Sequence, residues 1–174
     1  ASLQRAVVAC LKLSLKGDCP HGPHGPIGGW EVSGVTDMVK IFDGTSSFNG
    51  DISKWDVSSV TTMSAMFASA TSFNGDLSKW DVSSVVDMSA MFRVAAAFNG
   101  DISKWDVSNV VTISAMFAGA TSFSGDLSKW DVSRVNEMSV MFWRSTAFNG
   151  DISKWDVSSV TTTASLFISA TSFD

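Results

Sequence analysis

Apolar and aromatic side chains recur along this chain at a fixed interval of 25 residues. One position of the interval is always Trp: Trp30, Trp55, Trp80, Trp105, Trp130 and Trp155. Two further positions hold all twelve Phe: Phe42, Phe67, Phe92, Phe117, Phe142 and Phe167, and Phe48, Phe73, Phe98, Phe123, Phe148 and Phe173. A strict repeat of this length is typical of proteins made of stacked units, each of which packs on its neighbours. The sequence therefore predicts a tandem-repeat protein with a ladder of Trp in its core.

Within one repeat, Asn49–Phe73, the spacing of apolar residues changes. Trp55-Asp56-Val57 alternates as a short strand does. From Val60 to Ala70 apolar residues follow at intervals of three and four, which favours a helix. The pattern predicts an α/β repeat solenoid of right-handed coils, with one short parallel strand and one short helix or 3₁₀ turn per repeat. Ile and Leu alternate at one position of successive repeats, which indicates that a two-repeat unit was duplicated.

The chain divides into residues 1–26 and a six-coil array over residues 27–174. Ser2 to about Ser14 is amphipathic and predicts a helix that caps the first coil. A loop rich in Cys, His, Pro and Gly follows. The sequence starts at Ala1 and stops within the template at Asp174, and we expect further chain or a partner to cover the last coil.

Two cysteines and both histidines lie in the N-terminal segment. Cys10 and Cys19 are candidates for one disulfide in an oxidising compartment. Two alternatives stay open: a zinc site with His21 and His24, whose spacing is not a familiar one, and free thiols. The predicted set of metal ligands is none.

Charge and hydropathy exclude two classes of partner. A net charge of −5 without a basic stripe argues against nucleic acid. The sequence has no run of 18 apolar residues, so we predict no transmembrane segment.

The segment Asn49–Phe67 resembles the repeat of the BspA-type leucine-rich-repeat surface proteins. Their pattern W-D-x-S-x-V-x-x-M-x-x-M-F is matched at Trp55, Asp56, Ser58, Val60, Met63, Met66 and Phe67. The resemblance covers about residues 27–174. It implies a leucine-rich-repeat-like fold, a secreted or cell-surface location and a role in adhesion or protein interaction, and it supplies no catalytic residues.

The repeats hold no His that would act as a base for a Ser nucleophile, so we predict no enzyme and no cofactor. Asp and Lys columns on the predicted strand form a charged lattice, which we take as a candidate interaction surface: Lys54, Asp56, Lys79, Asp81, Lys104, Asp106, Lys129 and Asp131. Calcium binding by the Asp51 column is an alternative. Ice binding is another, which the broken Thr rows disfavour.

The segment after the first Phe differs between repeats. It carries Arg93 in one copy and Trp143-Arg144 in another. Trp and Arg are enriched at interface hot spots, so these residues are candidate contacts, unless Trp143 simply fills space.

These observations predict an interaction or adhesion module with protein partners. The alternative is a structural subunit docked in a larger assembly, such as an algal photosynthetic complex in the plastid after removal of a targeting peptide.

Overall fold

The computed structural model describes residues 2–174. It has one α-helix, α1, at Leu3–Leu13, and one 3₁₀ turn at Ile27–Gly29. The helix predicted from Ser2 to Ser14 is thus confirmed. Ala1, the first residue of the predicted N-terminal segment, lies outside the described residues.

The predicted α/β solenoid is wrong. From residue 30 to residue 174 the repeats contain neither a helix nor a strand, and the same finding removes the leucine-rich-repeat-like architecture. Each repeat is a series of tight turns. Bridge pairing between neighbouring repeats is reduced to single parallel pairs: Asp37 with Thr62, Thr62 with Asp87, Asp87 with Thr112, Thr112 with Glu137, and Glu137 with Thr162. The 25-residue repeat itself is confirmed, because these pairs follow its interval.

Neighbouring repeats, which we call coils, are joined by rows of aligned peptide groups. In the coil Asn49–Phe73, the N–H groups of four residues donate to carbonyls of the next coil: Met63, Ala65, Phe67 and Ser69. The carbonyls of the preceding residues accept from the coil before: Thr62, Ser64, Met66 and Ala68. Each of these peptide groups therefore points its C=O toward the N-terminal coil and its N–H toward the C-terminal coil. The same four bonds recur at every interface, so the coils stack without strands.

Left-handed backbone conformations make this arrangement possible. Ala65 and Ser69 have φ of 53° and 58°. Between the aligned peptide groups, the N–H of Met66 donates to the Met63 carbonyl and the N–H of Ala68 donates to that of Ala65, both at 3.1 Å. These bonds close successive four-residue turns. The apolar spacing that predicts a helix from Val60 to Ala70 comes from these turns.

The predicted strand segment also consists of turns. The Asp51 carboxylate accepts the N–H of Ser53 at 2.9 Å, and the Asp56 carboxylate accepts that of Ser58 at 3.1 Å. An Asp side chain that binds the backbone two residues on competes with ladder pairing, because it takes the N–H that a strand would use. The alternation of Trp55-Asp56-Val57 therefore marks a turn rather than a strand.

The aromatic columns form the core. Phe67 stacks on Phe73 of its own coil at 4.1 Å between ring centroids and on Phe92 of the next coil at 5.6 Å. The Trp80 indole N–H donates to the Ile52 carbonyl of the preceding coil at 3.2 Å. The same bond is present at each of the other four coil interfaces. A buried indole needs an acceptor for its N–H, and this carbonyl supplies one for each Trp from Trp55 to Trp155.

Helix α1 covers the first coil with its buried residues Val7 and Cys10. Cys10 and Cys19 form a disulfide with a Cα–Cα distance of 5.4 Å, which ties the helix to the following loop. The predicted disulfide is therefore present. Both sulfurs are used in this bond, so neither is a thiolate ligand for zinc.

Candidate interaction surface

Arg93, Trp143 and Arg144 lie in two adjacent columns directly after the first Phe. The first column holds one residue per coil: Asp43, Ala68, Arg93, Ala118, Trp143 and Ile168. Coil-to-coil bonds follow it, because the N–H of Gly119 donates to the Trp143 carbonyl at 2.7 Å and that of Arg144 to the Ile168 carbonyl at 2.8 Å. The structure thus brings all three predicted residues to one side of the stack.

Trp143 and Arg144 form one unit on this side. The Arg144 guanidinium carbon lies 4.3 Å from the centroid of the Trp143 ring, a cation–π contact. Arg144 occupies one of the left-handed backbone positions of the coil, with a φ of 56°. Trp143 is half-buried and Arg144 is exposed. The backbone therefore holds an aromatic face and a charge side by side at the surface.

Two apolar residues that the sequence does not single out complete this surface. Val94 is 37% exposed and belongs to the second of these columns. Ile168 follows Trp143 in the first column and is 52% exposed in the last coil of the described residues. We define the Trp143 patch as Arg93, Val94, Trp143, Arg144 and Ile168. The available signal was a large aliphatic residue at two positions where the other coils carry none.

The Lys and Asp columns predicted as a lattice lie elsewhere, with Asp56 exposed. Its carboxylate accepts the hydroxyl of Ser58 at 2.6 Å as well as the backbone N–H, and these bonds hold the pKa of Asp56 below its ordinary value. The two bonds from Ser53 lower the pKa of Asp51, and the charge of Lys54 lowers it by a smaller amount. Serine donors thus bind both Asp columns, and the Lys column acts on the Asp51 column.

Among residues 2–174, no three His, Cys, Asp or Glu side chains lie close enough together to hold a metal ion. His24 instead packs edge-on against Trp30, with 5.8 Å between ring centroids. The carboxylates of the Asp51 column bind the serine two residues on, as Asp51 binds Ser53.

Comparison with protein families gives one match. A family described as "Mycoplasma protein of unknown function, DUF285" matches residues 18–118 and 90–174. The chain belongs to the DUF285 family. No curated protein and no solved structure matches it.

One residue of each coil forms the parallel bridge to the next coil, and we call these residues of the DUF285 chain the bridge column. Acidic and hydroxyl side chains alternate along it: Asp37, Thr62, Asp87, Thr112, Glu137 and Thr162. Each acid accepts the N–H two residues on, as Asp87 does from Ser89 at 2.8 Å. The alternation keeps neighbouring carboxylates two coils apart, which lowers their repulsion.

Helix α1 is too short to cross a bilayer, and among residues 2–174 no other α-helix is present.

Proposed function

We propose that this DUF285 chain is a non-enzymatic protein-interaction or adhesion module, with repeats of the BspA surface-protein type. The observation that carries the proposal is the Trp143 patch. It places an exposed guanidinium against an aromatic ring, beside partly exposed aliphatic side chains, on a backbone whose hydrogen bonds are made internally.

The composition of the patch fits an interface centre. Trp and Arg are enriched at hot spots, and truncation of a hot-spot residue costs about 2 kcal/mol or more, which is roughly a 30-fold loss of affinity. Trp143 is held by Arg144 and by the stack, so little side-chain freedom is lost when a partner binds. Arg93 and Arg144 favour a partner that offers acidic groups around an apolar contact.

The disulfide supports a secreted or cell-surface location. Disulfides such as Cys10–Cys19 persist in oxidising compartments and are rare in the cytosol. An extracellular location agrees with the proposed role, because adhesion takes place outside the cell.

The test compares the intact chain with Trp143→Ala as immobilised bait in extract and surface fractions of the source cells. Val86→Ala, which truncates an exposed apolar side chain outside the patch and outside the Lys and Asp columns, is the matched control. We expect at least one protein to be retained by the intact chain and by Val86→Ala and to fall about 30-fold on Trp143→Ala. Equal retention by all three would contradict the assignment of the patch.

A further inference from the structure

The outer face of helix α1 carries cations and uncovered aliphatic side chains together. Arg5, Val8 and Lys12 recur on the side of the helix opposite the buried Val7 and Cys10, and all three are exposed. Cations alone would be an ordinary solvated helix face. The aliphatic residues beside them need a different explanation, because burial inside the fold does not use them.

The uncovered aliphatic residues concentrate at this end of the molecule. Val8, Leu13 and Leu15 are 48%, 64% and 66% exposed, and they make up three of the seven exposed large hydrophobic side chains of the described residues. Val8, Lys12 and Leu15 line a shallow depression of about 410 Å³, which Phe48 also borders. The surface therefore offers apolar contact next to positive charge.

The charge of the chain is divided in the same way. Arg5, Lys12 and Lys16 give residues 1–16 a charge of +3, with no acidic residue before Asp18. The whole chain carries −5, so residues 17–174 carry −8. A negatively charged surface attracts the helix end and repels the coils, which orients the molecule with α1 toward that surface.

We propose that the outer face of α1, together with Leu13 at the end of the helix and the residues that follow it, docks the protein onto an anionic lipid bilayer. Arg5, Lys12 and Lys16 contact the headgroups, and Val8, Leu13 and Leu15 enter the outer acyl region. Binding to an anionic bilayer strengthens with the apolar area that it buries and with the attraction of cations for anionic headgroups, and this end of the molecule offers both. An acidic protein would account for the cations but not for three aliphatic side chains spread over the helix and the residues after it. Membrane docking goes beyond the proposed protein-interaction role and uses the opposite end of the described chain from Ile168.

The test measures sedimentation of the full chain with vesicles. One set contains phosphatidylcholine alone, and the other equal parts of phosphatidylcholine and phosphatidylglycerol. We expect binding to the anionic vesicles only, with weakening as salt is raised. Arg5→Gln and Lys12→Gln should each lower the partition coefficient about fivefold, the factor that roughly 1 kcal/mol per surface cation gives.

Matched variants separate docking from general charge effects. Lys104→Gln and Lys129→Gln make the same charge change on the coils and should leave vesicle binding unchanged, while Leu13→Ser and Leu15→Ser should lower it. Thermal melting of each variant checks that the fold is intact. Equal binding to neutral vesicles, equal loss from cap and coil variants, or no binding would each overturn the proposal. The helix would instead be assigned to an acidic protein if the chain binds immobilised polyglutamate but no vesicles, and if Arg5→Gln or Lys12→Gln weakens that binding.

Discussion

The junction between the 3₁₀ turn and the coils gives the sharpest test of the packing. A Cβ added at Gly28 would overlap the backbone carbonyl oxygen of Asp51, and backbone cannot swing aside as a long side chain can. The neighbouring Ile27 carbonyl accepts the Trp55 indole N–H at 2.9 Å, so a displaced turn also disturbs the first bond of the Trp ladder. Gly29, one residue on, has no atom within 4 Å of an added Cβ.

Gly28→Ala and Gly29→Ala therefore make the same chemical change with opposite expected results. Overpacking costs about 1–3 kcal/mol, which for a chain of this length lowers Tm by roughly 3–10 °C. Gly29→Ala should leave Tm unchanged or raise it by about 1–3 °C, because Ala restricts the unfolded chain more than Gly does. Calorimetric melting measures both. Similar Tm values for the two variants would refute the steric reasoning.

Three further results are expected. Ser145 is the one buried polar side chain of the described core, and its hydroxyl donates to the Phe117 carbonyl. That carbonyl also accepts the Ala120 N–H, so it keeps a partner when the hydroxyl is removed. Ser145→Ala, which introduces the residue that most coils have here, should change the free energy of unfolding by less than about 1 kcal/mol in urea titration. Reduction of Cys10–Cys19 should cost about 2–3 kcal/mol for its short loop, measured by melting with and without reductant. Acid should lower Tm from about pH 4 downward.

The sign of the acid effect follows from the serine bonds. Hydroxyl and backbone N–H donors of the serines lower the folded-state pKa of nine carboxyls: Asp51, Asp56, Asp76, Asp81, Asp101, Asp126, Asp131, Asp151 and Asp156. A lowered folded-state pKa adds stability above the unfolded-state pKa, and this stability is lost as the pH falls through the folded-state value. A Tm that stays level from neutral pH to below pH 4 would contradict this effect.

The period, the aromatic core and helix α1 could be predicted from the sequence because burial leaves a direct mark on residue type. The structure inside each coil could not. Left-handed positions are usually marked by Gly or Asn. The position of Ala65 holds neither in any coil, and the position of Val94 is marked only by Gly44 and Gly119 in two other coils. Successive four-residue turns also place apolar residues at intervals of three and four, so periodicity alone does not separate them from a helix.

For the Trp143 patch, too, the sequence predicts which residues lie together but not how they are exposed or oriented. Arg93 and Trp143 share one template position, so any regular stack puts them in one column, and their proximity could be predicted. The exposed fraction of Val94 depends on how far its turn projects, and the cation–π geometry of Arg144 depends on its left-handed backbone. Neither quantity is fixed by the repeat pattern.

The alternation in the bridge column leads to a last prediction, which also accounts for a unit of two coils. Parallel neighbours lie about 4.8 Å apart, and like charges placed directly opposite destabilise a pair by about 0.2–1 kcal/mol. The Asp51 and Asp56 columns each carry a carboxylate in five consecutive coils. Lys54 and its counterparts offset the charge of the first column, and serine donors stabilise the carboxylates of both. The bridge column has acids only in alternate coils, with Thr between them.

Thr112→Asp would place a carboxylate between Asp87 and Glu137 and create two like-charged neighbours at once. We expect a loss of about 0.5–2 kcal/mol relative to Thr112→Asn, which has nearly the same shape without the charge. Urea titration measures the difference. High salt should reduce it, because the column is partly exposed and its charges are screened. If the Asp and Asn variants unfold alike at low salt, repulsion does not explain the alternation, and the two-coil unit is then a trace of duplication alone.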